Sequence, residues 1–342
     1  MNPIRENARV LVAATVGTAV EYYDFFIYGT AAALVFGPLF FPVESPAAQT
    51  LLAFVSFGVA FIARPIGAIA FGHFGDRVGR KSTLVISLLL MGLSTLGIAF
   101  LPTYETAGWI APALLCTLRF GQGFGLGGEW GGAALLAIEN SPKGWEARFG
   151  AAPQIGVPIG FFLANGLFMA LGFWLTDEEF ARWGWRVPFV ASAVLVGVGL
   201  YVRKRIGETP QFAEALANHA PVRVPIVRLF SRHLGAMLAG AAGVIVVFAT
   251  FYLATAWALA EATGPLGFER EPFLAVQLLA NLFMTAGILY AAWLADRTSA
   301  ATALSIAAAA VTVMGLVFGA GLSSGSLAIA GVTLCVTLFF MG

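Results

Sequence analysis

Five charged side chains stand inside or at the ends of long apolar stretches of this chain: Glu21, Asp24, Arg64, Arg119 and Glu129. In a bilayer-spanning helix each such group costs about 2.5–3.5 kcal/mol near the centre, so one that is kept there is a pointer to function. Glu21 and Asp24 are three residues apart and therefore share a helix face. Two carboxyls on one face in a low dielectric do not readily both ionise, which makes one of them a candidate proton carrier. Arg119 lies near the middle of its stretch, Arg64 in one half of its own, and Glu129 near an end. The architectural alternative, buried ion pairs that hold neighbouring helices together, stays open for Glu21, Asp24, Arg64 and Glu129.

A second cluster has a different character. Gly72-His-Phe-Gly-Asp-Arg-Val-Gly-Arg-Lys81 separates two apolar runs and reads as a short loop whose glycines let two helix ends approach each other. Asp76, Arg77 and Arg80, with Gly72 and Gly79, are expected to pin helix ends in one conformation through salt bridges and a helix dipole. That is a latch, not a binding site. Positive charge at a membrane face accounts for Lys81 but poorly for Asp76. A degraded copy, Asp296-Arg297 followed by Thr298-Ser299-Ala300, recurs about 220 residues on.

Enzyme signatures are weak. Gly123-x-Gly125-x-x-Gly128 fits a dinucleotide fingerprint, but no strand precedes it and no βαβ unit follows, so its glycines are read as close helix packing. Gly156-Val-Pro158-Ile-Gly160 is read in the same way, as a flexible, closely packed helix. No HExxH, P-loop or nucleophile elbow is present, and His73, His219 and His233 sit at loops or span ends. Cys116 and Cys335 lie in apolar runs and imply neither a disulfide framework nor a metal site. No enzyme, cofactor or metal is expected.

The elements that must carry these residues follow from composition. The chain has 342 residues, 59% hydrophobic and 11% charged, with net charge +1 and mean hydropathy +0.86. Soluble domains carry about 25% charged residues, so this is a polytopic membrane protein with the lipid bilayer as its solvent. Hydropathy predicts about ten spans, at 10–36, 49–72, 82–101, 108–130, 149–172, 185–202, 233–258, 272–294, 302–321 and 325–341. The first, with Arg5 and Arg9 ahead of it, is expected to be a retained helix with an acidic centre and not a leader.

Basic residues mark one face of the membrane. Arg5, Arg9, Arg77, Arg80, Lys81, Lys143, Arg148, the 203–232 segment and Arg297 fall in alternate gaps, which predicts a cytoplasmic N-terminus. Glu44, Glu105, Asp177–Glu179, Glu261, Glu269 and Glu271 fill the others, broken by Arg182, Arg186 and Arg270. The long basic segment divides the chain into a six-helix lobe (1–202), a cytoplasmic central loop (203–232) with a short surface helix near Phe212–Leu216, and a second lobe (233–342). A parallel repeat of six-span halves is a known architecture of secondary transporters.

Denser motifs sharpen this. Gly72-x-x-x-Asp76-Arg77-x-Gly79-Arg80-Lys81, with the Asp296-Arg297 echo, resembles the mark of the major facilitator superfamily. Glu21-Tyr-Tyr-Asp24-Phe-Phe-x-Tyr28-Gly29, Arg64-Pro65-x-Gly67, Arg119-x-x-Gln122-Gly123-x-x-x-Gly127-Gly128-Glu129-Trp130-Gly131-Gly132-Ala133, Trp183-Gly-Trp-Arg-x-Pro188-Phe189 and Glu208-Thr209-Pro210-x-Phe212 are similar to the superfamily's metabolite:proton symporters. Within that family the sequence resembles shikimate-type and related organic-acid carriers.

The resemblance implies an all-α fold of two six-helix lobes with twelve spans. This sequence reaches about the tenth at Phe339-Phe-Met-Gly342, so the second lobe is expected to be truncated. It implies a bacterial inner-membrane symporter, monomeric and without nucleic acid, moving a small organic acid or osmolyte-like metabolite with protons. An uncoupled facilitator or exchanger of the same fold, or an inactive remnant, is the alternative. Spans one and four line the cavity in that superfamily, so Asp24 or Glu21 is expected to take the proton and to face Arg119 across water. Arg119, Gln122, Tyr28 and Arg64 are expected at the substrate, and Gly127, Gly128 and Glu129 in helix packing. The Asp76 turn is expected to brace the start of the eleventh span. In the second lobe, at the repeat offset, Ala241 and Val244 replace the acids; Tyr252, Trp257, Gln277 and Asn281 are its polar and aromatic candidates, with routine packing favoured for them.

Overall fold

The computed structural model describes residues 7–78, 80–127, 137–138, 141–205 and 234–342. Its described elements are all helical. The long ones are α1 (Ala8–Ala31), α2 (Pro46–Val78), α3 (Arg80–Ile98), α4 (Ile110–Leu126), α5 (Glu146–Trp174), α6 (Val187–Arg205), α7 (Leu234–Tyr252), α8 (Arg270–Arg297), α9 (Ala300–Leu322) and α10 (Leu327–Met341), joined in places by shorter helices. Each coincides with a stretch predicted to span. Among the described residues seven helices are long and apolar enough to cross a membrane by themselves, while Val85–Ile98 and Leu327–Met341 are shorter apolar helices.

Burial follows the bilayer rather than water. The span containing α1 is 78% buried and is the centre of the molecule, whereas that of α9 is 0% buried. Leu304, Val313 and Leu316 of α9 are exposed. An apolar face of this size is stable against hydrocarbon, where helices gain little from hiding it and all backbone groups are satisfied within the helix.

Helix α5 packs along the whole of α1, α4 lies between α2 and α3, and α6 covers α1 and α3. On the other side α8 and α9 pack on α10, and α8 runs against α5 to join the two groups. The α1–α5 seam is close because Gly156 and Gly160 lack side chains. A Cβ on Gly160 would lie 2.7 Å from Ala19 O and 2.8 Å from Tyr23 N of α1. This agrees with the close-packed reading of that stretch, and Thr15 Oγ1 ties the seam by donating to Ala152 O (2.8 Å).

Two features depart from expectation. The Gly72–Lys81 stretch is not a ten-residue loop: α2 continues to Val78 and α3 begins at Arg80. At 33 residues α2 is about 50 Å long, beyond the roughly 30 Å of hydrocarbon, so the charged turn is helix projecting past the apolar layer. Gly72 accordingly has helical backbone. Second, α1 passes into a π-turn at Ala32–Phe36 and α7 into another at Leu253–Trp257. They sit at matching places in the repeat and touch each other.

Candidate functional site

Asp24 is 1% exposed and both its oxygens are engaged. Oδ1 accepts from Ser192 Oγ on α6, and Oδ2 accepts from Thr95 Oγ1 on α3 at 2.8 Å. Thr95 accepts in turn from Gln122 Nε2 on α4 (2.7 Å). Gln122 Oε1 accepts from Arg119 Nη1 one turn earlier (3.0 Å). Four helices thus contribute to one continuous polar chain in an apolar bundle, and each of its links is hydrogen-bonded as burial demands.

Arg119 is fully buried. Its guanidinium carbon lies 4.2, 4.3 and 4.6 Å from the ring centroids of Tyr28, Phe25 and Phe57. Three π faces supply electrostatic attraction in place of a counter-ion. Nε donates to Phe57 O (3.3 Å), and Tyr28 is held by a 2.7 Å hydrogen bond with Ser56. Nη2 has no hydrogen-bond partner among the described residues. A buried, unsatisfied charged donor is costly, and a carboxylate oxygen is the acceptor that suits it best.

The structure separates the two acids of α1. Glu21 pairs with Arg64 Nη2 at 3.0 Å, while Asp24 is solvated by hydroxyls. The i,i+3 spacing puts both on one side of α1, but α2 and α3 approach that side at different heights and take one acid each. Asp24 reaches Arg119 through Thr95 and Gln122, not face to face.

A narrow cleft, with free space for about one water molecule, adjoins this chain, between α1, α2 and α5 on one side and α7 and α8 on the other. Phe25 and Phe57 belong both to its wall and to the aromatic cage of Arg119. Its polar groups are Thr30 and Asn165, the first donating to the second, with Tyr252, Thr255 and Gln277. Gln277 Nε2 donates to Ala254 O (3.2 Å) and Thr255 O (2.7 Å), carbonyls of the α7 π-turn. Of the second-lobe candidates Tyr252 and Gln277 line the cleft, Trp257 packs on Phe318, and Asn281 is buried beneath Gln277.

At one end of the bundle Asp296, the last acid of α8, caps the start of α5. Its carboxylate accepts from Ala147 N (2.8 Å), Arg148 N (3.2 Å) and Arg148 Nε (2.6 Å). An acid at a helix N-terminus is favoured by unpaired amides and dipole together. Arg297 stacks on Trp293 (4.5 Å). In the first copy, Asp76 and Arg77 lie in the last turn of α2 and Arg80 opens α3, with their side chains, like Gly79, outside the described residues. Gly128, Glu129 and the Phe212–Leu216 segment are outside them as well. A Cβ on Gly127 would strike the backbone of Arg64, so α4 and α2 cross in contact there.

Thr95, Ser192, Phe25 and Phe57 were not singled out from sequence. Single hydroxyls and phenylalanines in apolar runs are common, and only the meeting of α1, α2, α3, α4 and α6 gives these four a role.

Two packed groups of helices thus hold a buried acid–guanidinium chain beside the cleft between them. Residues 10–220 match the sugar (and other) transporter family, and the chain belongs to that family. The inner membrane metabolite transport protein YhjE of Escherichia coli K12 is 48% identical over 298 residues, covering 86% of this chain and 68% of that protein. The shikimate transporter of the same organism is 44% identical over 291 residues, covering 84% and 66%. The chain thus spans about two thirds of the length of these relatives.

Among solved structures, the partially occluded inward-open xylose transporter XylE from E. coli superposes with TM-score 0.74 at 15% identity, over 97% of this chain and 81% of that one. A D-xylose-proton symporter gives 0.68 at 19%, over 98% and 80%. At such identity these two speak for the fold.

Proposed function

We propose that this chain moves a small organic acid together with a proton by alternating access across the inner membrane, with its N-terminus in the cytoplasm. The observation that carries this reading is the buried chain from Asp24 to Arg119 beside the inter-lobe cleft. Asp24 takes the proton; Arg119, with Gln122 and Tyr28, receives the substrate carboxylate at Nη2 once Phe25 or Phe57 yields. Glu21 and Arg64 neutralise each other and hold α1 to α2, so the proton load falls on Asp24 alone. The names of the relatives, a metabolite transport protein and a shikimate transporter, support an organic-acid cargo.

The energetics set the form of coupling. A monoanion carried with one proton moves no net charge, so membrane potential, worth about 2.3 kcal/mol per 100 mV per charge, does no work. The pH gradient supplies about 1.4 kcal/mol per unit, or about tenfold accumulation. Proteoliposomes with the interior about one unit more alkaline, offered a panel of labelled organic acids including shikimate, are expected to accumulate one of them about tenfold and to lose the gradient with an uncoupler. Uptake indifferent to the uncoupler would identify an uncoupled facilitator and contradict this reading.

Asp296 and Arg148 form the cytoplasmic latch between the lobes, 1–202 and 233–342. By the repeat, the Asp76 turn is its counterpart toward an eleventh span. Asp296→Ala removes three charge-assisted contacts and is expected to raise the cytoplasm-open population about tenfold. Spin labels at Lys143→Cys and Ala300→Cys would register this as a longer distance. An unchanged distance distribution would rule out the latch.

A further inference from the structure

We propose that Thr95 is a positioning residue that passes the protonation state of Asp24 to Arg119. The inference rests on the reading of Asp24 as the proton carrier. It starts from the direction of the hydrogen bonds. Arg119 has donors and no acceptor, so the Gln122 carbonyl must face it and the Gln122 amide must face Thr95. Oγ1 of Thr95 therefore accepts from Gln122 (2.7 Å), and its own single proton must point elsewhere. Two acceptors lie within reach, Asp24 Oδ2 at 2.8 Å and Met91 O at 2.9 Å. One proton cannot serve both.

The charge on Asp24 decides between them. With the carboxylate ionised, Thr95 donates to Oδ2, and every donor from Arg119 onward points toward the negative charge. Aligned donors strengthen one another. When a proton arrives on Oδ2, that oxygen becomes a donor to Thr95, whose hydroxyl turns to Met91 O. Thr95 keeps its own proton, and the carboxyl gains one from water. Oγ1 then accepts from both Asp24 and Gln122, which its two lone pairs allow. The run of aligned donors is broken at Thr95, its anionic end is gone, and the hold of Gln122 on Arg119 Nη1 weakens. The guanidinium, with Nη2 already unpartnered, is released to take a carboxylate. Protonation first and anion second is the order that symport requires.

The surroundings leave this route little competition. Tyr23, beside Asp24, donates to Pro188 O of α6 (2.8 Å). Glu21 is paired with Arg64 of α2, and Arg119 is the charge that α4 presents. Among the described residues α3 and α6 offer Thr95 and Ser192 at this level. Arg186 of the α6 entry is bound far off, to Ala99 O (2.6 Å) and Leu101 O (2.8 Å), and the α5 charges lie in its first turn.

Two spectroscopic readouts test the relay without any substrate, on the full chain in lipid nanodiscs. The carboxyl infrared band of Asp24, assigned by its loss in Asp24→Asn, reports protonation. The side-chain nitrogen resonances of ¹⁵N-arginine-labelled protein, with Arg119 assigned by its loss in Arg119→Lys, report the guanidinium. Both are expected to follow one pH midpoint. In Thr95→Val the Asp24 band should still titrate while the Arg119 response falls about fivefold or more, and Thr95→Ser should retain it. Gln122→Leu breaks the next link and should give the same loss, which covers a Thr95→Val that fails to fold. An undiminished Arg119 response in Thr95→Val or Gln122→Leu, or a Thr95→Ser as deficient as the valine variant, overturns the relay. An Asp24 band that does not titrate in the unaltered protein overturns the symport reading and the relay with it, and is seen independently of Arg119.

Discussion

Replacing Arg119 by lysine is expected to lower the initial rate of organic-acid uptake about a hundredfold at an unchanged level of folded protein. Lysine keeps the positive charge, so a purely electrostatic role would survive the change. What it loses is planarity and the fork. The guanidinium is held among Phe25, Tyr28 and Phe57 while Nε and Nη1 donate to Phe57 O and Gln122 Oε1. An ammonium cannot make both bonds and still present a donor where Nη2 stands. One charged hydrogen bond is worth about 1.5–3 kcal/mol, and about 3 kcal/mol is a hundredfold. Initial-rate measurements in proteoliposomes check this; a variant retaining half the rate would remove Arg119 from the substrate site.

Asp24→Asn is expected to separate transport from its driving force. The amide accepts one of the hydroxyl bonds from Thr95 and Ser192 and donates to the other oxygen, so the bundle keeps its shape. It is neutral at every pH and resembles the protonated state. Accumulation under a one-unit pH gradient should fall from about tenfold to none, while exchange of labelled for unlabelled acid continues within about threefold of the unaltered rate. Accumulation that survives would exclude Asp24 as the proton carrier. Glu21→Gln is a useful contrast, because its loss breaks the 3.0 Å pair with Arg64 and should reduce stability more than coupling.

Much of the fold was readable because hydrocarbon imposes a simple rule on sequence. Apolar runs of span length gave every described long helix, and the charged residues placed among them gave Asp24, Arg119, Glu21 and Arg64. Gly156 and Gly160 told of the close α1–α5 seam. Hydropathy cannot see where a helix ends once it leaves the apolar layer, which is why the Gly72–Lys81 stretch read as loop although α2 runs on to Val78. It is also blind to hydrogen bonds between helices. Nothing about Thr95 or Ser192 distinguishes them from other hydroxyls in apolar runs until α3 and α6 are seen flanking Asp24. The π-turns at Ala32–Phe36 and Leu253–Trp257 leave no mark in periodicity, being one residue of slippage in otherwise uniform apolar sequence.

The central claim is that the acid and the proton travel together. It is tested most directly by recording external pH with an indicator dye while the transported acid is added to lightly buffered proteoliposomes of the unaltered chain. Symport predicts alkalinisation of the medium with one proton removed per monoanion taken up, at the same rate with or without a potassium diffusion potential, and no such signal in Asp24→Asn. Uptake of the acid with the external pH unmoved would contradict it.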